Sequence, residues 1–314
     1  MQRRHALALL TAALVPRPAR AAGGPPLSFT APLMGTRFIL QIHHPDPAHA
    51  RAAAERAFAA AAAIDTVASD YRADSELLSL GKAAAGTPTR VSPLLFRLLA
   101  EARELAALTD GWFDPTLGPL TVLWREARRR HRLPDPATLA AARAACGWSA
   151  LLLDPGRLEV TLERPGMRLD LGGIAKGQAA EAIHTSLRAD GLARTCVTAG
   201  GDVRLGDPPP DAAGWSVAVR TTAGKPTGAP LVLANAAVST SGDLHQAIEI
   251  DGVSYAHLID PATGLGLTRH VAATVVAATA TRSDALATAC CVAPAEEARR
   301  HARAWGASEL RLDP

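Results

Sequence analysis

The sequence has no CxxC pair and no zinc-like spacing among its four cysteines, Cys146, Cys196 and the adjacent Cys290 and Cys291. Cysteine-based zinc sites and thioredoxin-type redox motifs are thereby excluded, and buried free thiols are the default expectation. One bridge between distant positions would suit an oxidising compartment, whereas vicinal cysteines bridge only with strain. An excess of one charge is also missing. The formal net charge is +3, and the first 21 residues hold Arg3, Arg4, Arg17 and Arg20 without an acid, so 29 bases face 30 acids in the rest. That balance is not a nucleic-acid footprint. Neither a GxGxxG fingerprint nor a Walker loop occurs, and there is no internal repeat. Lysine is scarce: only Lys82, Lys176 and Lys225 stand among 33 basic residues. Where a plain cation suffices this chain uses Arg, so a Lys marks a place to look for chemistry.

What is present is an ordinary globular composition, 314 residues with 48% hydrophobic, 20% charged and 4% aromatic. Such a chain buries a real core as one large domain or two closely packed lobes. Residues 1–21 read as an export signal: Arg3-Arg4, an apolar run from Ala6 to Val15, then Ala19-Arg20-Ala21 as a small-x-small cleavage site. The run is too short to span a bilayer. The arginine pair suits either the twin-arginine or the general route. No Cys follows the cleavage site, so a free periplasmic protein is expected rather than a lipid-anchored one. Residues 22–32 read as a linker and 33–310 as one domain.

Helical spacing is clear over His49–Ser69, Ser92–Leu108, Pro119–Arg130 and Pro136–Cys146, with Ser92-Pro93 a cap followed by proline at the first position. The basic run of the third helix reads as a solvated face. Short strands are expected at Phe38–Ile42, Leu151–Leu153, Leu158–Leu162, Arg168–Leu171, Thr195–Thr198, Trp215–Arg220, Leu231–Val238, Gln246–Ile250 and His270–Val276. Further helices follow at Ile174–Arg188, Arg282–Val292 and Pro294–Ala304, with loops at 207–214 and 222–230. The fold class is α/β (α+β).

Five segments carry chemical interest. Asp170-Leu-Gly172-Gly173-Ile-Ala-Lys176-Gly177 is a strand end, a glycine turn and a helix start, which aims amides, a helix dipole and a lysine at an anion; a glycine-capped connection fits equally. Gly200-Gly201-Asp202 and Ser239-Thr-Ser-Gly-Asp243 suit phosphate or ribose cradles, or plain turns. Asp284 and Thr288 share one helical face and offer hard oxygens to Mg2+, although an N-terminal helix acid and a backbone-bonded Thr would look the same. His257, in His257-Leu-Ile-Asp260-Pro-Ala-Thr263-Gly264, is consistent with a base or a core histidine, and His43-His44 with a surface pair.

In this order the segments resemble the ApbE family of Mg2+-dependent FAD:protein FMN transferases. The similarity starts at Leu33-Met34-Gly35-Thr36 and runs through Asp70-Tyr71-Arg-Ala-Asp74-Ser75-Glu76-Leu77 and Thr109-Asp110-Gly-Trp112-Phe113-Asp114-Pro115-Thr116. It takes in the other four of these segments and ends at the fifth, Ser283-Asp284-Ala-Leu-Ala287-Thr288-Ala289, covering about residues 33–292. Gln178, Thr198 and Leu244 depart from the family's common residues without removing a charge or a ligand.

The resemblance implies a two-lobed fold with the FAD and Mg2+ site between the lobes. It implies FAD contacts from Met34, Tyr71, Trp112, Phe113, Asp114, Asp170, Lys176 and the backbone near Leu258. It implies Mg2+ ligation by the Gly173 carbonyl, Asp284, Thr288 and the backbone at Ala287. The reaction it implies moves FMN from FAD to a Thr or Ser hydroxyl of a target flavoprotein, a subunit of a membrane redox complex, with release of AMP. Catalytic roles fall to Asp284, Lys176 and His257, the last as base. A Mg2+-dependent FAD pyrophosphatase and a non-catalytic FAD-binding protein are the competing readings.

Overall fold

In the computed structural model five of the helices start where the sequence supplies a capping side chain. The structure describes residues 24–219, 228–242 and 247–313. The expected leader, Asp243, Leu244 and most of the 222–230 loop lie outside them. Asp46 accepts N–H bonds from Ala48 and His49 at the head of α1 (Pro47–Ala68), and Ser75 caps α2 (Glu76–Leu80). Ser92 accepts from Leu95 to open α3 (Pro93–Leu108). Each such bond satisfies an amide that the helix leaves without a partner.

Preceding α1, β1 (Leu27–Leu33) and β2 (Thr36–Ile42) form a hairpin. The two-residue turn is Met34-Gly35, both at positive φ (49° and 69°), the backbone that matches the twist of paired strands. Residues 27–32, expected in the linker, are therefore sheet. Pro32 is tolerated because β1 is an edge strand.

After α2 comes β3 (Thr89–Arg90), and after α3 come α4 (Gly118–Arg130) and α5 (Pro136–Ala144), then β4 (Leu151–Asp154) and β5 (Glu159–Leu162). Strands β3, β5 and β4 make a small antiparallel sheet. The expected strand at 168–171 does not form; Asp170 instead donates its N–H to Pro115 O, and its side chain starts the glycine turn. Next are α6 (Ala175–Ala189), β6 (Thr195–Ala199), β7 (Asp202–Leu205) and the short pair β8 (Trp215–Val217) and β9 (Leu231–Leu233). The expected single strand 231–238 is broken at Asn235, whose left-handed φ of 49° separates β9 from β10 (Ala237–Gly242). Then follow β11 (Ile248–Ile250), β12 (Val253–Tyr255), β13 (Ala272–Ala277), α7 (Ala280–Val292), α8 (Ala295–Trp305) and β14 (Ala307–Asp313).

The main sheet runs β1-β2-β6-β7-β10-β13-β14, all antiparallel. One face carries the large core. There Phe38, Leu40 and Ile42 of β2, Val197 of β6 and Val275 of β13 lie with α1, α6 and α7. The other face buries Cys196, Val203, Leu205, Val238 and Val276 under the β8–β9 ribbon around Trp215. Strands β6 and β7, covered on both sides, are accordingly buried along their whole length, and the buried Arg204 of β7 is paired with Glu181 at 2.8 Å. A third cluster joins Leu120, Trp124 and Ala127 of α4 to Ile250, Tyr255 and Ile259. Trp124 donates its indole N–H to Ala256 O at 3.1 Å, which seats the 255–267 segment against α4. All four cysteines are buried free thiols. No helix of the described residues is long and apolar enough to cross a membrane.

Candidate functional site

Between the α6–α7 layer and the α4 side lies a cleft of about 810 Å3. It is lined by every residue named above as catalytic, FAD-contacting or metal-ligating except Ala287, which is buried within α7 and does not reach the lining.

The glycine turn forms one end. The Asp170 carboxylate accepts the Gly172 N–H at 2.7 Å with one oxygen and the Thr121 hydroxyl at 2.6 Å with the other. The chain is thereby bent into the start of α6, which has no side-chain cap. One first-turn amide of α6 already has an anion: Gly177 N–H donates to Asp284 Oδ2 at 2.8 Å. Lys176 Nζ stands 3.5 Å from Asp202 and 3.8 Å from Asp284. Its charge is held between two buried carboxylates while a third of the side chain stays open to the cleft. Asp284, ahead of desolvation, is the main influence, and the Lys176 pKa is pushed up. Burial, then repulsion from Asp284, pushes the Asp202 carboxyl up to about 7 although Lys176 faces it.

One lysine between two carboxylates leaves this corner short of positive charge, and the nearby donors are hard oxygens. Thr288 Oγ1 lies 3.3 Å from Ser241 Oγ. A Cβ built on Gly173 would stand 3.1 Å from the same Thr288 oxygen, so the turn backbone and the hydroxyl are adjacent. Carboxylate, hydroxyl and carbonyl are the donor set that Mg2+ accepts. Among the described residues no cluster of three His, Cys, Asp or Glu side chains suits a metal, so a cation here relies on this mixed set.

The aromatic wall comes from residues 112–114. Phe113 is buried and Trp112 is half-buried against the main core. Asp114 is committed to the local turn, accepting from Thr116 N, Thr116 Oγ1 and Trp148 N at 2.7, 2.6 and 3.2 Å. It shapes the wall rather than offering a free carboxylate. Met34 enters from the β1–β2 turn. Opposite it, the Ala256 N–H bonds to Leu267 O at 2.7 Å and the Leu267 N–H to Leu258 O at 2.8 Å. His257 is pinned between these two bonds and faces the cleft, half-buried. The Leu258 carbonyl is thus already used.

Other expected cradles resolve differently. Gly200 and Gly201, at φ 62° and 128°, turn β6 into β7 and stay out of the lining. Ser239 is buried against Ser283 at 2.8 Å, and of the described part of that segment only Ser241 reaches the cleft. His43 packs on Trp215 away from it.

At the far end sequence reasoning named Tyr71 but missed the α4 residues beside it. Tyr71 is 78% exposed, with the Arg125 guanidinium 4.1 Å from its ring centroid. Arg125 also pairs with Asp70. Thr121, Arg125 and Arg128 all line the cleft from α4. Their spacing of four and three is one helical face, a signal that the run of arginines concealed.

The ApbE family profile matches residues 34–310. An FAD:protein FMN transferase of Treponema pallidum is 34% identical over 277 residues, 83% of this chain and 76% of that one. One from Klebsiella pneumoniae is 29% identical over 80% of this chain and 77% of its own. The solved ApbE protein of Thermotoga maritima superposes with a TM-score of 0.81 at 28% identity, covering 91% of this chain and 94% of that one. The apo form of the Pseudomonas stutzeri flavinyl transferase ApbE gives 0.78 at 28% identity, with 88% of each chain covered. A match across nearly the whole domain, in sequence and in fold, places this chain in the ApbE family.

Proposed function

We propose that this protein is a Mg2+-dependent FAD:protein FMN transferase that moves FMN from FAD to a Thr or Ser hydroxyl of a target flavoprotein and releases AMP. The observation that carries this reading is the convergence of Gly173, Lys176, Asp284 and Thr288 at one end of a cleft in a chain of this family. The cleft volume, about 810 Å3, suits a dinucleotide.

The acceptor oxygen bonds to the FMN-side phosphorus while the bond to the AMP phosphate breaks, and the hydroxyl proton passes to a base. Such chemistry depends on positioning and charge neutralisation more than on covalent help. Gly173, Asp284 and Thr288 would hold Mg2+, which when bound neutralises and polarises the pyrophosphate. Lys176, fixed by Asp202 and Asp284, adds a preorganised positive charge. His257, pinned through its neighbours, is the candidate base. His257→Ala should slow transfer by about 10²–10⁴-fold, the usual contribution of a general base, with FAD affinity retained. An unaltered single-turnover transfer rate would remove His257 from that role.

We place the protein in the periplasm, with an acceptor subunit of a membrane redox complex reached there; the leader pattern at residues 1–21 supports this. Mass spectrometry after incubation with FAD, Mg2+ and a Thr-bearing acceptor tests the whole reading. An FMN-sized mass gain with AMP release, lost in EDTA, is expected. AMP without a mass gain would make the protein a pyrophosphatase, and intact bound FAD without turnover a binding protein.

A further inference from the structure

Tyr71 is a large aromatic left 78% exposed at the mouth of the cleft, on the connection between α1 and α2. A free phenol ring on a loop would lose rotamer freedom on binding a ligand. Here that freedom is restricted beforehand. The Arg125 guanidinium covers one face of the ring at 4.1 Å from the centroid and bonds to Asp70, the preceding residue. A single side chain from α4 therefore ties down both residues of the Asp70-Tyr71 pair, and the ring still lines the cleft.

The same arginine carries an electrostatic duty. Burial first, and then the nearby Asp170, push the Asp70 carboxyl up, while Arg125 works against both. Asp170 is in turn bonded to Thr121, one turn before Arg125 on α4. Without Arg125 this wall would present two poorly compensated carboxylates to a ligand that carries a pyrophosphate. Only a planar, permanently charged guanidinium can stack on a ring and pair with a carboxylate at once.

We infer that Arg125 is a substrate-positioning residue: acting through Tyr71, it holds a preformed stacking platform for an aromatic ring of the dinucleotide. The inference rests on the FAD reading of the cleft. Arg125 touches no reacting atom in this scheme.

Titrating FAD into the full chain with Mg2+, followed by flavin fluorescence quenching and paired with thermal melts, tests it. Arg125→Met should raise the FAD dissociation constant about ten-fold, the scale of a partly desolvated cation–π contact. The KM for FAD should rise in parallel, with kcat at saturating FAD changed less than about two-fold, as expected when uniform binding alone is lost. Arg125→Lys, which keeps the charge and loses the stacking plane, should fall between. In a Tyr71→Leu background the Arg125→Met effect should shrink to the part due to Asp70 and Asp170, because the stacking part acts through the ring. An unchanged titration for Arg125→Met at a wild-type melting temperature would overturn the inference, as would full additivity with Tyr71→Leu. If Arg125→Met melts early, Arg125→Lys in both Tyr71 backgrounds gives the same comparison. Failure of the unmodified protein to bind FAD would overturn the functional reading as well, which separates the two failures.

Discussion

Asp284→Ala should reduce Mg2+-dependent FAD turnover by about 10²–10³-fold, the scale seen when one preorganised charge-stabilising group is removed from an active site. The residue is 2% exposed and its side chain serves three neighbours at once. Its Oδ2 accepts the Gly177 N–H, its Oδ1 faces Lys176, and it supplies the only carboxylate of the proposed metal set. Alanine would leave the buried Gly177 amide without its acceptor, at about 1–3 kcal/mol, and would leave Lys176 with Asp202 alone. A loss of stability is therefore expected beside the loss of rate, and the two must be separated. Asp284→Asn does that, because its carbonyl oxygen can still accept from Gly177 while the charge is gone. Its melting temperature should return towards that of the unmodified protein, and its turnover should stay low at any Mg2+ concentration. Full turnover in the folded Asn variant would sink the metal assignment.

That separation matters because so much of the site is also structure. Asp114 and Asp170 line the cleft, yet their oxygens already accept bonds at 2.6–3.2 Å, Asp114 from Thr116 and the Trp148 N–H, Asp170 from the Gly172 N–H and the Thr121 hydroxyl. Asp202 faces Lys176 rather than a ligand. The carboxylates around the cleft shape its walls and fix its lysine, so substituting them removes architecture and charge together.

How much of this was legible in the sequence depended on whether the signal was local. Caps and helical periodicity are local, and α3 runs from Pro93 to Leu108 as Ser92-Pro93 and the apolar spacing indicate. The glycine turn before Lys176 and the Asp284/Thr288 face could be read for the same reason. The β1 strand was hidden because it sits at a sheet edge, contains Pro32 and is only half-buried at alternate positions. Its register is set by β2 and by the left-handed Met34-Gly35 turn. Arg125 was hidden because its meaning depends on Asp70 and Tyr71, which the fold brings to it from 55 and 54 residues away along the chain. The partnership of Lys176 with Asp202 is likewise a product of the α6–β7 contact, and spacing along the chain does not encode it.

Gly177 is the sharpest case of such a non-local demand, and Gly177→Ala carries the second large expected effect. Its backbone φ is ordinary, so no turn conformation requires glycine there. The reason is the crossing of α6 over α7. A Cβ at this position would stand 2.3 Å from the Ala280 carbonyl oxygen and 2.7 Å from Asp284 Cβ, with backbone on one side and a buried side chain on the other. Neither can turn aside, so the two helices would have to part by about 1 Å to reach ordinary contact. Overpacking of this kind costs about 1–3 kcal/mol, which for a domain of this size lowers the melting temperature by several degrees. The same displacement lengthens the Gly177 N–H bond to Asp284 and moves Asp284 and Thr288, both on α7, away from Gly173 ahead of α6. A shift of about 1 Å at a reacting centre can cost about 10²-fold in rate. The variant should therefore fold at reduced temperature, and its turnover per folded molecule should fall about 10²-fold, beyond what partial unfolding explains. Calorimetry and single-turnover AMP release on the same sample would check both halves. An alanine variant with an unchanged melting temperature and unchanged turnover would mean that α6 and α7 have slack at this crossing, and that Asp284 is not positioned by it.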